Sequence, residues 1–181
     1  MKKKLMIVLS AIIGVVAIFF VINSFNNKQT ITLDKYKNMS VKEIVDELDR
    51  TNPIGFSASI SGEILTLSDG NEFEVLELPK DEFYLSFAPY INSTHPCSYH
   101  NLITCRGELV NKEIHVKVVD ELGNVILEDD VTTFNNGFVG IWLPRNVEAT
   151  ITVTYKNLEA SAPITTYLDS ETCLTTPLQL Q

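Results

Sequence analysis

Positive charge is scarce in this chain. Fourteen lysines and arginines face 23 aspartates and glutamates, for a formal net charge of −9. Lys2, Lys3 and Lys4 stand together at the N-terminus, so the remainder carries about −12. A body this acidic lacks the basic face that nucleic-acid binding requires, while it suits cationic partners, metal ions among them. Catalytic signatures are missing as well. There is no G-x-S-x-G, no phosphate-binding glycine loop, no H-E-x-x-H and no EF-hand loop. The acids are scattered over strand faces and turns, as in Glu128-Asp129-Asp130, with no pair set apart for acid–base work. The chain is therefore expected not to be an enzyme. Internal repeats and low-complexity tracts are absent too. Cysteine and histidine number only three each, and an odd cysteine count leaves at least one thiol without a partner in the same chain.

Apolar residues are not scarce. They make up 45% of the chain, enough for a buried core. Met1-Lys2-Lys3-Lys4 precedes 18 uncharged residues, Leu5 to Ile22. At about 1.5 Å per residue such a run spans roughly 27 Å, close to the hydrocarbon thickness of a bilayer. No small-x-small cleavage site ends it. The reading is an uncleaved signal anchor over residues 5–22, lysines inside and the rest exported, or a periplasmic or secreted protein if the signal is cleaved.

Beyond a polar linker the pattern is mainly β. Ser40 is an N-cap with Glu43 at capping-box spacing. Val41, Ile44, Val45 and Leu48 mark one apolar helix face, which Asn52-Pro53 terminates. The helix charges read as a solvated face. From Gly55 the period changes to two. Glu63–Leu67 and Glu72–Leu78 flank Ser68-Asp69-Gly70-Asn71 as a hairpin, and Glu82–Phe87 is a further strand. After residue 105, alternating runs at Ile114–Asp120, Val125–Glu128, Phe138–Pro144, Thr150–Tyr155 and Ala162–Tyr167 predict an antiparallel sandwich. The expected division is 1–29 for anchor and linker, 30–92 for a helix plus a small antiparallel β unit, and 93–181 for a β-sandwich carrying the Cys/His site.

Two of the three cysteines and two of the three histidines fall in His95-Pro96-Cys97-Ser98-Tyr99-His100-Asn101-Leu102-Ile103-Thr104-Cys105. Cys97, His100 and Cys105 have C-x2-H-x4-C spacing. Thiolate and imidazole suit Cu(I) and Zn(II), not Mg(II) or Ca(II). Equally, Cys97 and Cys105 could form a disulfide staple, worth roughly 2–3 kcal/mol on a chain-entropy estimate. Outside the cytoplasm such a bridge persists. His95 is a further ligand, a hydrogen-bond donor behind the ligands, or a loop residue. His115 shares a strand with Val116 and Val118 at opposite parity and is expected on the solvent face.

Pro96-Cys97-Ser98-Tyr99-His100, Thr104-Cys105-Arg106-Gly107-Glu108-Leu109 and Thr172-Cys173-Leu174-Thr175-Thr176 resemble the CueP family of exported copper-binding proteins. The resemblance implies copper handling outside the cytoplasm: sequestration of Cu(I), tolerance of the metal, and delivery to an exported client enzyme. It implies Cys97, Cys105 and Cys173 as thiolate ligands with His100 as the imidazole. It also leads to a redox step in which Cys97 and Cys105 close a disulfide while reducing Cu(II). The competing readings are an anchored β-sandwich interaction module with a structural disulfide, and a zinc-binding protein.

Overall fold

The computed structural model describes residues 32–181, which lie in one compact unit. The anchor expected at 5–22 and the linker to residue 29 lie outside the described residues. Among the described residues no helix is long and apolar enough to cross a membrane.

A 3-10 turn, Leu33–Tyr36, precedes helix α1, Val41–Thr51. The capping box forms as the spacing predicts. Glu43 N–H donates to the Ser40 hydroxyl, and Ser40 N–H donates to the Glu43 carboxylate. The helix ends at Asn52 in the left-handed region, φ 46°, a conformation asparagine tolerates. Its side-chain amide then donates to Leu102 O at 2.6 Å, tying the helix end to the cysteine loop. Ile44, Val45 and Leu48 are buried, as the periodicity predicts. Asp49 corrects the expectation of a wholly solvated polar face, because it is completely buried.

Eleven strands follow: β1 (Ser57–Ile60), β2 (Ile64–Ser68), β3 (Phe73–Glu77), β4 (Glu82–Phe87), β5 (His100–Asn101), β6 (Glu113–Asp120), β7 (Val125–Thr132), β8 (Val139–Pro144), β9 (Glu148–Tyr155), β10 (Leu158–Thr165) and β11 (Cys173–Leu174). They form three sheets, ordered β3-β2-β1-β5, β10-β9-β6-β7 and β11-β4-β8. The predicted hairpin is β2–β3, with Leu67 opposite Glu74. Pairing is antiparallel throughout the named strands, except that β11 runs parallel to β4. Local alternation gives no sign of that pairing.

The three-stranded sheet is a partition. On one side Phe83, Leu85 and Phe87 of β4 join Val139, Ile141 and Leu143 of β8. These pack with Ile114, Val116, Val118, Ile151 and Val153 of the four-stranded sheet opposite, the shared core expected of a sandwich. Each such side chain stabilises by about 1.5–3 kcal/mol when fully buried. On the other side Tyr84 faces Ile44, Val45 and Leu48 of α1 together with Ala58, Ile60, Leu65 and Leu67. A division at 92/93 does not separate the sheets. Strand β4, before it, pairs with β8 and β11, and β5, after it, pairs with β1.

Candidate metal centre

The cysteine loop is built from short-range hydrogen bonds and then fastened from three directions. Asn101 Oδ1 accepts from Ile103 N–H and Thr104 N–H at 3.0 and 2.9 Å, an Asx turn. That turn lets Cys105 N–H reach Asn101 O at 3.1 Å, and Asn101 N–H points back at Cys105 Sγ at 3.4 Å. Upstream, Glu108 accepts from the backbone N–H groups of Ile91, Asn92 and Ser93 and from the Asn92 side chain. Desolvation alone would raise the Glu108 pKa; these donors reverse that and bring it to about 2. Gly107 lies against the backbone of Gly137, whose φ is +80°, and a β-carbon on either would collide with the other's carbonyl.

The third fastening comes from the far end of the chain. Thr172 Oγ1 accepts from His100 N–H at 3.1 Å and donates to Ile60 O at 2.7 Å. Cys173 N–H donates to Ser98 O, and the Thr175 hydroxyl donates to His95 O. The threonines that flank Cys173 are thus the hands that hold the loop. Cys173 is brought back to it by β11.

Three sulfurs and an imidazole converge as a result. Cys97 and Cys173 are disulfide-bonded, with Cα atoms 5.5 Å apart. Cys105 is the free thiol, and its sulfur lies 3.7 Å from that of Cys97. The bridge is therefore Cys97–Cys173, which corrects the Cys97–Cys105 staple that short spacing suggested. Donor atoms of His100, Cys105 and Cys173 lie within 4.8 Å of one another, and so do those of His95, Cys97 and Cys105. Phe138 and Ala88 close the pocket.

Behind His100 stands a buried network that the sequence reading missed. His100 Nε2 is 2.9 Å from Asp49 Oδ1, and both side chains are fully buried. Tyr84 donates its phenolic proton to Asp49 Oδ2 at 2.7 Å, and the Asn136 amide donates to Oδ1 at 2.8 Å. Tyr84 reaches the aspartate by lying across β8, where Gly140 leaves room that any β-carbon would take. The contact turns Nε2 toward the Asp49 carboxylate and leaves Nδ1 facing the sulfurs, 3.8 Å from Cys173 Sγ. Burial would lower the His100 pKa, but the hydrogen bonds with Asp49 and Cys105 prevail and raise it to about 9. For Cys105, burial works against the thiolate, and the His100 contact with the Asn101 N–H pulls the pKa below its ordinary value. One signal could have found Asp49: it sits four residues after Val45, on the border of the apolar stripe.

Over residues 41–179 the chain matches the family model described as periplasmic copper-binding protein CueP. The chain belongs to the CueP family. The crystal structure of S.CueP shares 46% sequence identity with it, at a TM-score of 0.78, over 82% of this chain and 92% of that one. No curated protein matches the chain. The resemblance read from the cysteine segments therefore holds. The CueP metal is copper, and the zinc alternative finds no support in it.

The donor set fits that metal. Sulfur and imidazole nitrogen are soft to borderline ligands, and among the described residues no carboxylate belongs to either donor group. The expected residues Cys97, His100, Cys105 and Cys173 all come together, with His95 on the outer side. His115 stays apart, partly exposed on β6, beside Asp130 at 2.8 Å and Glu128 at 3.5 Å.

Proposed function

We propose that this chain sequesters Cu(I) outside the cytoplasm through Cys97, Cys105, Cys173 and His100, and reduces Cu(II) as it loads. The observation that carries the reading is the convergence of all three sulfurs and the His100 ring at one site, largely buried. Thiolates favour Cu(I) over harder ions, and two or three satisfy its low coordination number. With the bridge open, each of Cys97 and Cys173 gives up one electron and one proton. Two Cu(II) become two Cu(I), and the Cys97–Cys173 bond forms. Cys105 keeps its thiolate, favoured by His100, and so retains metal affinity after the step. An external thiol reductant restores the pair. This is stoichiometric chemistry by a binding protein, without turnover, and delivery of Cu(I) to an exported client enzyme is its natural outlet.

The test uses the full chain after complete reduction. A coloured Cu(I) chelator competes for the metal, and thiols are counted before and after Cu(II) is added. The expected result is tight Cu(I) uptake, lost in the triple Cys97→Ser, Cys105→Ser, Cys173→Ser variant, and two thiols consumed for every two Cu(I) released to chelator. Unchanged Cu(I) affinity in the triple variant would overturn the site. Cu(I) uptake with no thiol loss on adding Cu(II) would remove the redox step alone.

A further inference from the structure

The donors fall into two sets that share one atom. The outer set is His95, Cys97 and Cys105; the inner set is His100, Cys105 and Cys173. Cys105 Sγ belongs to both. His95 and Cys97 are half-buried, whereas His100 and Cys173 are at most 1% exposed. Phe138 packs near both imidazoles. Its ring centroid is 4.7 Å from that of His100 and 6.4 Å from that of His95, and the ring is wholly buried.

An ion approaching from water cannot reach the inner donors with its hydration shell intact, because the pocket around them is closed. Stripping every water before any ligand is gained would be costly. His95 and Cys97 avoid this, since both are partly exposed and each can replace a water while the ion is still hydrated. Cys97 and Cys173 are bridged in this structure, so both sets are complete only once that bond is reduced; the two are then related by one-for-one exchange. Cys173 takes the place of Cys97, His100 takes the place of His95, and Cys105 need never let go.

The two histidines are also held differently. Asp49, Tyr84 and Asn136 fix the inner ring in one orientation. The outer residue is anchored by its backbone carbonyl, through the Thr175 hydroxyl, and keeps a partly exposed ring. A fixed ring suits a holding site, and a surface ring suits capture.

We infer that His95, Cys97 and Cys105 form an entry station for Cu(I), from which the ion passes to His100, Cys105 and Cys173 by exchange about Cys105. This rests on the sulfur cluster being the copper site. His95 is on this reading a capture ligand, which sets how fast the metal arrives and not how tightly it is finally held.

The experiment follows reduced full-length protein mixed with a coloured Cu(I)–chelator complex in a stopped-flow instrument, with an equilibrium competition titration alongside. His95→Ala is expected to slow uptake by about tenfold or more, a range that association rates of related sites commonly span. Its equilibrium affinity should shift far less than its rate. His100→Ala is expected to show the opposite balance, with affinity lost by about 10- to 100-fold. His95→Gln, which keeps a polar group but no imidazole, should behave as His95→Ala. Parental uptake rates in both His95 variants would overturn the entry station. So would an affinity loss in His95→Ala equal to that of His100→Ala, because His95 would then be a static ligand. If the parent itself takes up no Cu(I), the copper site fails, and the entry station with it.

Discussion

Strand β4 divides two environments. On its sandwich face Phe83, Leu85 and Phe87 belong to the apolar core. On the opposite face Tyr84 donates a hydrogen bond to Asp49, Ser86 buries a hydroxyl that has no partner among the described residues, and Ala88, just past the strand's end, borders the sulfurs. Neighbouring side chains of one strand thus serve opposite ends. The first face supplies stability by burial. The second accepts buried polar groups, which stabilise less, and in return fixes the ring that faces the metal donors. Both faces are needed, since the polar side can be held rigid only if the sheet beneath it is firm.

Substitutions on the two faces should separate these roles. Phe83→Ala, on the sandwich face, is expected to lower stability by about 3–5 kcal/mol in thermal or urea unfolding. Cu(I) affinity of the folded protein should survive, and a parallel loss of affinity would show that the faces are not independent. Asp49→Asn is the counterpart. Chelator competition is expected to show Cu(I) affinity lower by about 10- to 100-fold, since the His100 ring loses the carboxylate that orients it. Tyr84→Phe removes one donor from Asp49 and leaves the ring contact in place. A stability loss of about 1–3 kcal/mol is expected in urea, with less effect on affinity than Asp49→Asn. Should Tyr84→Phe weaken copper binding as much, the phenol and not the carboxylate would be the controlling partner.

The smallest effect lies outside both faces. Glu108, with its pKa near 2 against an ordinary 4.5, contributes stability that is present above pH 4.5 and lost as pH falls toward 2. Glu108→Gln should cost about 1 kcal/mol at neutral pH. The gap between parent and variant should close on acidification below pH 4.5. A gap that is flat across that range would mean the carboxylate charge is not what holds Ile91–Ser93.

How much of this was legible beforehand depends on range. The capping box at Ser40 and Glu43, the β2–β3 hairpin and strands β6 to β10 are local patterns, and burial alternates along β6, β8, β9 and β10. The grouping of Cys97, His100 and Cys105 was legible for the same reason. Pairing of the cysteines was not, because connectivity depends on where β11 docks, and a two-residue strand carries no period. Asp49 was hidden by its type. A carboxylate beside an apolar stripe reads as solvated unless a buried donor is known to wait for it, and here Tyr84, His100 and Asn136 come from three separate segments.

The return of residues 172–181 has a consequence for how such a chain must come into being. A polypeptide exported N-terminus first presents Cys97 and Cys105 together, eight positions apart, well before Cys173 follows, 76 positions after Cys97. An oxidising compartment meets the close pair first, and the bond it would make is not the one in the folded protein. The native partner arrives last, when β11 seats beside β4. Order along the chain and final pairing thus run against each other, and Cys105 rests as a free thiol 3.7 Å from Cys97, within reach of the sulfur it does not bond.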